Sequence, residues 1–76
     1  MAKDKLVYDT QRIKDYMDKA DLKAMDLVRL CGIAVSSAYL IDKAQPVKDL
    51  NILYKVYKGL VAAGHDVTWV QLTGIE

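Results

Sequence analysis

The 76-residue chain has one cysteine, one histidine and one proline. A lone Cys31 excludes an internal disulfide, and such a thiol suits a reducing cytosol. It lies on the apolar stripe of a helical segment, which makes it a small buried hydrophobe. With His65 the only imidazole and no second cysteine, the ligands of a metal site are missing. Asp66, next to His65, is better explained as a helix cap than as half of a catalytic pair. Asp15 and Asp18 mark a solvated helix face, not a carboxylate dyad. No Gly-rich loop that could cradle a phosphate occurs. The expectation is therefore a non-enzyme with no metal, cofactor or small-molecule ligand. An excess of one charge is also lacking, with eleven Lys and Arg against ten Asp and Glu. That total gives little push toward nucleic acid, yet it does not exclude DNA, because the placement of the cations decides. Lys3 and Lys5 are not followed by the apolar core of a secretion signal, and no run could span a membrane. A cytoplasmic protein is expected.

Apolar residues make up 53% of the chain, enough to rule out disorder. The length allows one small domain with a limited core. No repeat, low-complexity segment or useful strand alternation is present, except a short stretch at Leu6–Tyr8. The pattern predicts an all-α fold of five helices. Residues 1–8 read as a flexible arm and 9–76 as the folded domain. Asp9 or Thr10 can cap the first helix. With Asp9 as cap, Tyr8 and Ile13 take the positions of a hydrophobic staple. Ile13, Tyr16, Met17 and Ala20 then share one apolar face. The next helices cover about Ala24–Cys31 and Val35–Lys43. Pro46 suits the start of a fourth, Val47 to Ala63, which stops near Gly64. Asp66 caps a last short helix, Val67–Leu72.

The most informative stretch is LKAMDLVRLCGIAVSSAYLIDKAQP, Leu22 to Pro46. Leu27, Val28 and Cys31 give one helical stripe, and Ala38 and Ile41 give another, with Gly32 between them. Neither stripe can be buried alone. Gly32 falls where the first helix must stop, and glycine accepts the left-handed conformation that closes many helices. Two helices across a short Gly turn make a helix-turn-helix, whose second helix can enter a major groove.

This segment resembles the Cro/repressor-like (lambda-repressor-like) helix-turn-helix family of phage and bacterial transcriptional regulators. The positions that carry the resemblance are Val28, Gly32, Ala38 and Ile41. Gln45-Pro46 is similar to the family's linker, Leu53–Leu60 to its fourth helix and Val67–Gly74, with Trp69, to its closing helix. The resemblance covers about Arg12 to Gly74. It implies a compact five-helix DNA-binding domain with the motif at about 24–43. The chain departs from the family at Lys23 and Ala34, where Ser or Thr usually caps each motif helix. Asp26, Ser36 and Ser37 offer partial compensation. Ala24 replaces a Gln that often anchors to the DNA backbone. Val28 is larger and Ala38 smaller than usual, a volume exchange between two positions expected to touch.

On the second motif helix, Ser37, Ala38 and Ile41 form the inner stripe. Val35, Ser36, Tyr39 and Lys43 form the outer one, and Ser37 fits either side. Val can touch a thymine methyl, Ser can bond base edges or phosphates, and Tyr and Lys reach phosphate oxygens. Candidate DNA contacts are thus Val35, Ser36, Ser37, Tyr39, Lys43 and Lys23. Two alternatives stay open here: the serines are first-turn polar residues, and Tyr39 is a half-buried aromatic. Leu40 packs on the fourth helix or on a partner. The fourth helix has one stripe at Leu50, Leu53, Tyr57 and Leu60 and another at Ile52, Val56 and Ala63. The surplus apolar residues Ile52, Val56, Trp69, Val70 and Ile75 mark either a wide core contact or a homodimer surface. The resemblance implies a repressor or antitoxin-type autoregulator that occupies a pseudo-palindromic operator in double-stranded DNA, in the bacterial cytoplasm or nucleoid. The competing expectation is a protein-interaction module on the same fold, without DNA binding.

Overall fold

A computed structural model describes residues 7–75. Five helices follow in order: α1 (Gln11–Ala20), α2 (Ala24–Cys31), α3 (Val35–Asp42), α4 (Leu50–Ala62) and α5 (Trp69–Thr73). Among the described residues there is no strand. Of the stretch expected at Leu6–Tyr8, Leu6 lies outside the described residues, and Tyr8 forms one isolated antiparallel bridge with Val47. No described helix is long and apolar enough to cross a membrane.

Each helix starts and stops for a local reason. Asp9 accepts the Gln11 N–H at 3.1 Å, so the acid acts one residue ahead of Thr10, the N-cap of α1. Thr10 itself is fully buried and spends its hydroxyl elsewhere. Asp26 accepts the Lys23 N–H at 2.9 Å, which compensates for the lysine at the α2 N-cap. No side chain caps α3, so Ser36 and Ser37 do not supply the missing bond. Asp49 caps α4 through the Asn51 N–H. The helix therefore starts at Leu50, three residues later than the position of Pro46 suggests, because Val47 is committed to Tyr8. Thr68, not Asp66, caps α5 through the Gln71 N–H, and Val67 is left as a buried residue ahead of the helix.

The C-termini of α1, α3 and α4 close in the same way. A left-handed residue follows each helix end, directly after α1 and one residue further on after α3 and α4, and the next N–H reaches back to the helix: Leu22 to Met17 O, Gln45 to Leu40 O and His65 to Leu60 O. Glycine is the usual occupant of that left-handed position. Here Gly64 fills it after α4, but Asp21 (φ 59°) and Ala44 (φ 56°) fill it after α1 and α3.

The core draws on every helix. Ile13 and Met17 of α1, Leu27 of α2, Ala38 and Ile41 of α3, Leu53, Val56 and Leu60 of α4 and Leu72 of α5 are all fully buried. Each large aliphatic among them contributes about 1.5–3 kcal/mol by leaving water. Tyr16 packs against this core as the α1 pattern predicts. On α4 the inner stripe is Leu53, Val56 and Leu60, not the expected Leu50, Leu53, Tyr57 and Leu60. Leu50 faces outward. Gly59 lets α4 come close to α2: a Cβ there would stand 2.7 Å from both Cys31 Cα and Leu30 O.

Candidate nucleic-acid interface

The residues that hold α3 set what it can present. Gly32 ends α2 at φ 71°, its N–H bonded to Val28 O at 3.1 Å. Ile33 then turns inward and is buried. Two more residues bring the chain to Val35, the start of α3. Ala38 and Ile41 lock α3 to the core, and Val28 packs against the same core from α2. Asp42, in the last turn of α3, pairs with Lys14 of α1 at 3.4 Å, and Lys14 also pairs with Asp18 at 3.0 Å. The hydrogen bond to Asp18, with the charges of Asp18 and Asp42 behind it, outweighs partial desolvation and holds the Lys14 ammonium above its ordinary pKa.

The segment after α3 is tied down as well. The Thr10 hydroxyl donates to Gln45 O at 2.9 Å. Tyr8 and Val47 exchange two backbone hydrogen bonds, at 2.7 and 3.1 Å. These ties anchor the chain that leaves α3, while the rotation of α3 itself, and so the face it shows to solvent, is set by Ala38 and Ile41, both fully buried.

That face carries Val35, Ser36, Tyr39 and Lys43, all exposed, with Tyr39 at 47%. Ser37 is half-buried, between the two sides. Leu40 is also exposed, at 40%. Sequence reasoning left it undecided; its place one step round the helix from Lys43 was the available signal. Lys43 stands at the end of α3 with no carboxylate within ion-pair distance among the described residues. Lys23, at the N-cap of α2, is highly exposed and lies 3.7 Å from Asp21. Arg29 is engaged by Asp26. With no side-chain cap, the first N–H groups of α3 are open to water or to an anion.

The five residues expected at a dimer surface separate into three groups. Val56 is 0% exposed, because α4 turns it into the core beneath α2, and it is withdrawn from any surface role. Ile52 is half-buried against that same core. Trp69 is half-buried too, edge-on to Tyr57 at 5.9 Å and to Tyr54 at 6.4 Å. Val70 and Ile75 alone are exposed. Tyr54 and Val61, which the periodicity did not single out, make the outward apolar side of α4 together with Leu50, which was expected on the inner stripe.

Elsewhere, His65 Nδ1 and the Tyr16 hydroxyl share a hydrogen bond of 2.6 Å, with the rings edge to face. His65 thus joins α1 to the loop before α5. Cys31 is half-buried, its thiol directed at Val56 O at 3.6 Å, and burial pushes its pKa up to about 11. A neutral thiol in that position packs as a small hydrophobe. No group of three acidic, His or Cys side chains among the described residues is close enough to share a metal ion. A groove of about 200 Å³ between α1 and α5 is lined by Arg12, Asp15, Tyr16, Lys19 and Gln71, none of them on the α3 face. Comparison with family models, with curated proteins and with solved structures returned no match.

Proposed function

We propose that the protein is a sequence-specific double-stranded DNA-binding regulator of the lambda-repressor-like helix-turn-helix type, with α3 as the recognition helix. The observation that carries this reading is the fixed, outward face of α3. Ala38 and Ile41 are buried on one side, and Val35, Ser36, Tyr39 and Lys43 stand free on the other. An α-helix with its side chains is about 10–12 Å across, which fits a major groove about 12 Å wide. Ser36 and Val35, in its first turn, are placed to meet base edges, with Ser37 beside them. Tyr39, Lys43 and Lys23 are placed to meet phosphates. One such helix reaches few base pairs, so a two-fold pair on a pseudo-palindromic operator is the working species. Repression follows from occupying that operator in the bacterial cytoplasm or nucleoid.

A titration with a randomised duplex pool over a salt series tests this. Two to four phosphate contacts per subunit make four to eight for the two-fold pair, a slope of roughly −4 to −7 in log K against log salt. Ser36→Ala and Tyr39→Ala weaken binding with thermal stability unchanged, and Lys43→Ala weakens it equally on all sequences. Absence of binding to any duplex at low salt sinks the proposal.

A second reading rests on the apolar part of the same face. Val35, Tyr39 and Leu40 are exposed side by side, and Lys43 is the one charge among them. A protein partner would use such a surface as readily as DNA, and the module would then be an adaptor. The two readings part on salt: a protein contact through these residues is nearly indifferent to it.

A further inference from the structure

The groove between α1 and α5 has no function in the reading above. It measures about 200 Å³ and is lined by Arg12, Asp15, Tyr16, Lys19 and Gln71. Asp15 stands three residues after Arg12 and four before Lys19. Those are the two spacings at which opposite charges on a helix ordinarily pair. Asp15 pairs with neither: among the described residues, the ion pairs of α1 are those of Lys14 with Asp18 and Asp42. Other contacts hold the two groups apart. Gln11 Nε2 donates to Asp15 Oδ1 at 2.9 Å. Arg12 rests against the glycine that closes α5, since a Cβ at Gly74 would stand 2.8 Å from Arg12 Nε. The half-buried Tyr16 is held in turn by His65, through the 2.6 Å hydrogen bond and the edge-to-face contact. Two cations and a carboxylate thus border one small space without satisfying one another.

The charges select the occupant. A simple anion in the groove would face Asp15, and a simple cation would face Arg12 and Lys19. A zwitterion meets its complement at both places. Size narrows the choice, because pockets for drug-sized ligands run to roughly 300–1,000 Å³ and this one is smaller. We propose that the groove binds a free α-amino acid, which carries a carboxylate and an ammonium on one carbon. The carboxylate meets the Arg12 guanidinium, whose fork suits it, with Lys19 as a second cation. The ammonium meets Asp15 Oδ2, the oxygen that Gln11 leaves open. The side chain lies over Tyr16 toward Gln71, whose amide both donates and accepts. The inference goes beyond the operator-binding reading and holds whether or not α3 meets DNA.

The test follows the amide chemical shifts of the full chain as each standard amino acid is added to about 10 mM. The contacts are solvent-exposed, so the expected Kd is on the order of 1 mM. Amides of α1 and α5 shift, and those of α3 stay in place. For the amino acid that binds best, the N-acetyl derivative lacks the ammonium and the carboxamide lacks the carboxylate. Each binds at least about fivefold more weakly than the parent. Asp15→Asn and Arg12→Gln weaken binding to the same degree and leave thermal stability intact, since both residues are exposed. Lys43→Ala, on α3, changes nothing. The proposal is overturned if no amino acid moves the α1 and α5 amides by about 10 mM. It is also overturned if the N-acetyl derivative binds as well as its parent, which would make the groove a plain anion site. Binding unchanged in Asp15→Asn overturns it too. A chain that takes the amino acid but no duplex keeps the groove and loses the operator reading.

Discussion

Gly59→Ala sets two effects of opposite sign against each other, and the structure decides which wins. Gly59 lies inside α4, where replacement by alanine gains about 1 kcal/mol of helix propensity. By that rule alone the variant is more stable. The new methyl, however, would stand 2.6 Å from Cys31 Sγ, 2.7 Å from Cys31 Cα and 2.7 Å from Leu30 O. Carbon atoms at rest sit about 3.5–4.0 Å apart, so α2 and α4 must separate by roughly 0.8 Å. Two of the three obstacles are backbone and cannot step aside by changing rotamer. Overpacking of this kind costs typically 1–3 kcal/mol, and the upper part of that range, about 2–3 kcal/mol, applies where backbone must move. The net is a loss of about 1–2 kcal/mol after the propensity gain. For a domain of this size that lowers Tm by roughly 5–15 °C. Thermal and urea denaturation followed by circular dichroism measure it. Cys31→Ala on top of Gly59→Ala recovers only part of the loss, since Cys31 Cα and Leu30 O remain. A Gly59→Ala variant as stable as the wild type would refute the close crossing of α2 and α4.

Ala44→Gly stabilises the protein by up to about 1 kcal/mol in urea unfolding, because Ala44 holds the left-handed conformation that glycine adopts without strain; a loss of stability would show that the turn after α3 is closed differently. The Cys31 thiol has its pKa raised from 9.0 to about 11 by burial, so between those values the unfolded chain has released a proton that the folded chain keeps. Stability therefore falls as pH rises from 9 to 11, and Cys31→Ala lacks that part of the slope; equal slopes for the two proteins in urea midpoints would contradict the burial argument. Val28→Ala and Ala38→Val each cost on the order of 1–3 kcal/mol, and the double exchange recovers much of it. Strict additivity would mean that the two side chains do not share a volume.

Sequence reasoning reached some elements and missed others for identifiable reasons. The bounds of α2 coincide with the expected Ala24–Cys31, and α3 ends one residue short of the expected Lys43, because Gly32 and the sparse apolar spacing leave one register. The start of α4 was misplaced because Pro46 is a local signal, whereas Val47 is held by Tyr8 from the far end of the chain. At α5 both Asp66 and Thr68 have capping chemistry, and burial of Val67 selects Thr68. On α4, periodicity offers several apolar stripes and cannot rank them. The choice is made by Gly59, which turns one side toward α2 and leaves Leu50, Tyr54 and Val61 outside. The pairing of Tyr16 with His65 spans 49 residues and has no sequence signature. The outer residues of α3 were readable because Ala38 and Ile41 fix the helix rotation, but their chemistry alone fits DNA and a protein surface alike.

The tie between the start of the domain and the end of α3 also orders events in time. The Thr10 hydroxyl meets a carbonyl 35 residues further on, and everything between, α1 through α3, is a closed loop. Closing a free loop of that length costs about 3 kcal/mol of chain entropy. The three hydrogen bonds of the tie return about 1 kcal/mol each at best. They can form only once α1, α2 and α3 have already drawn the ends together, and they are among the first to open when the native state fluctuates. Amide exchange at Tyr8 and Val47 consequently reports on a partial opening that frees the end of α3 while the core stays closed. Protection at these two amides well below that of Leu27 or Leu53 would give the free energy of that opening directly.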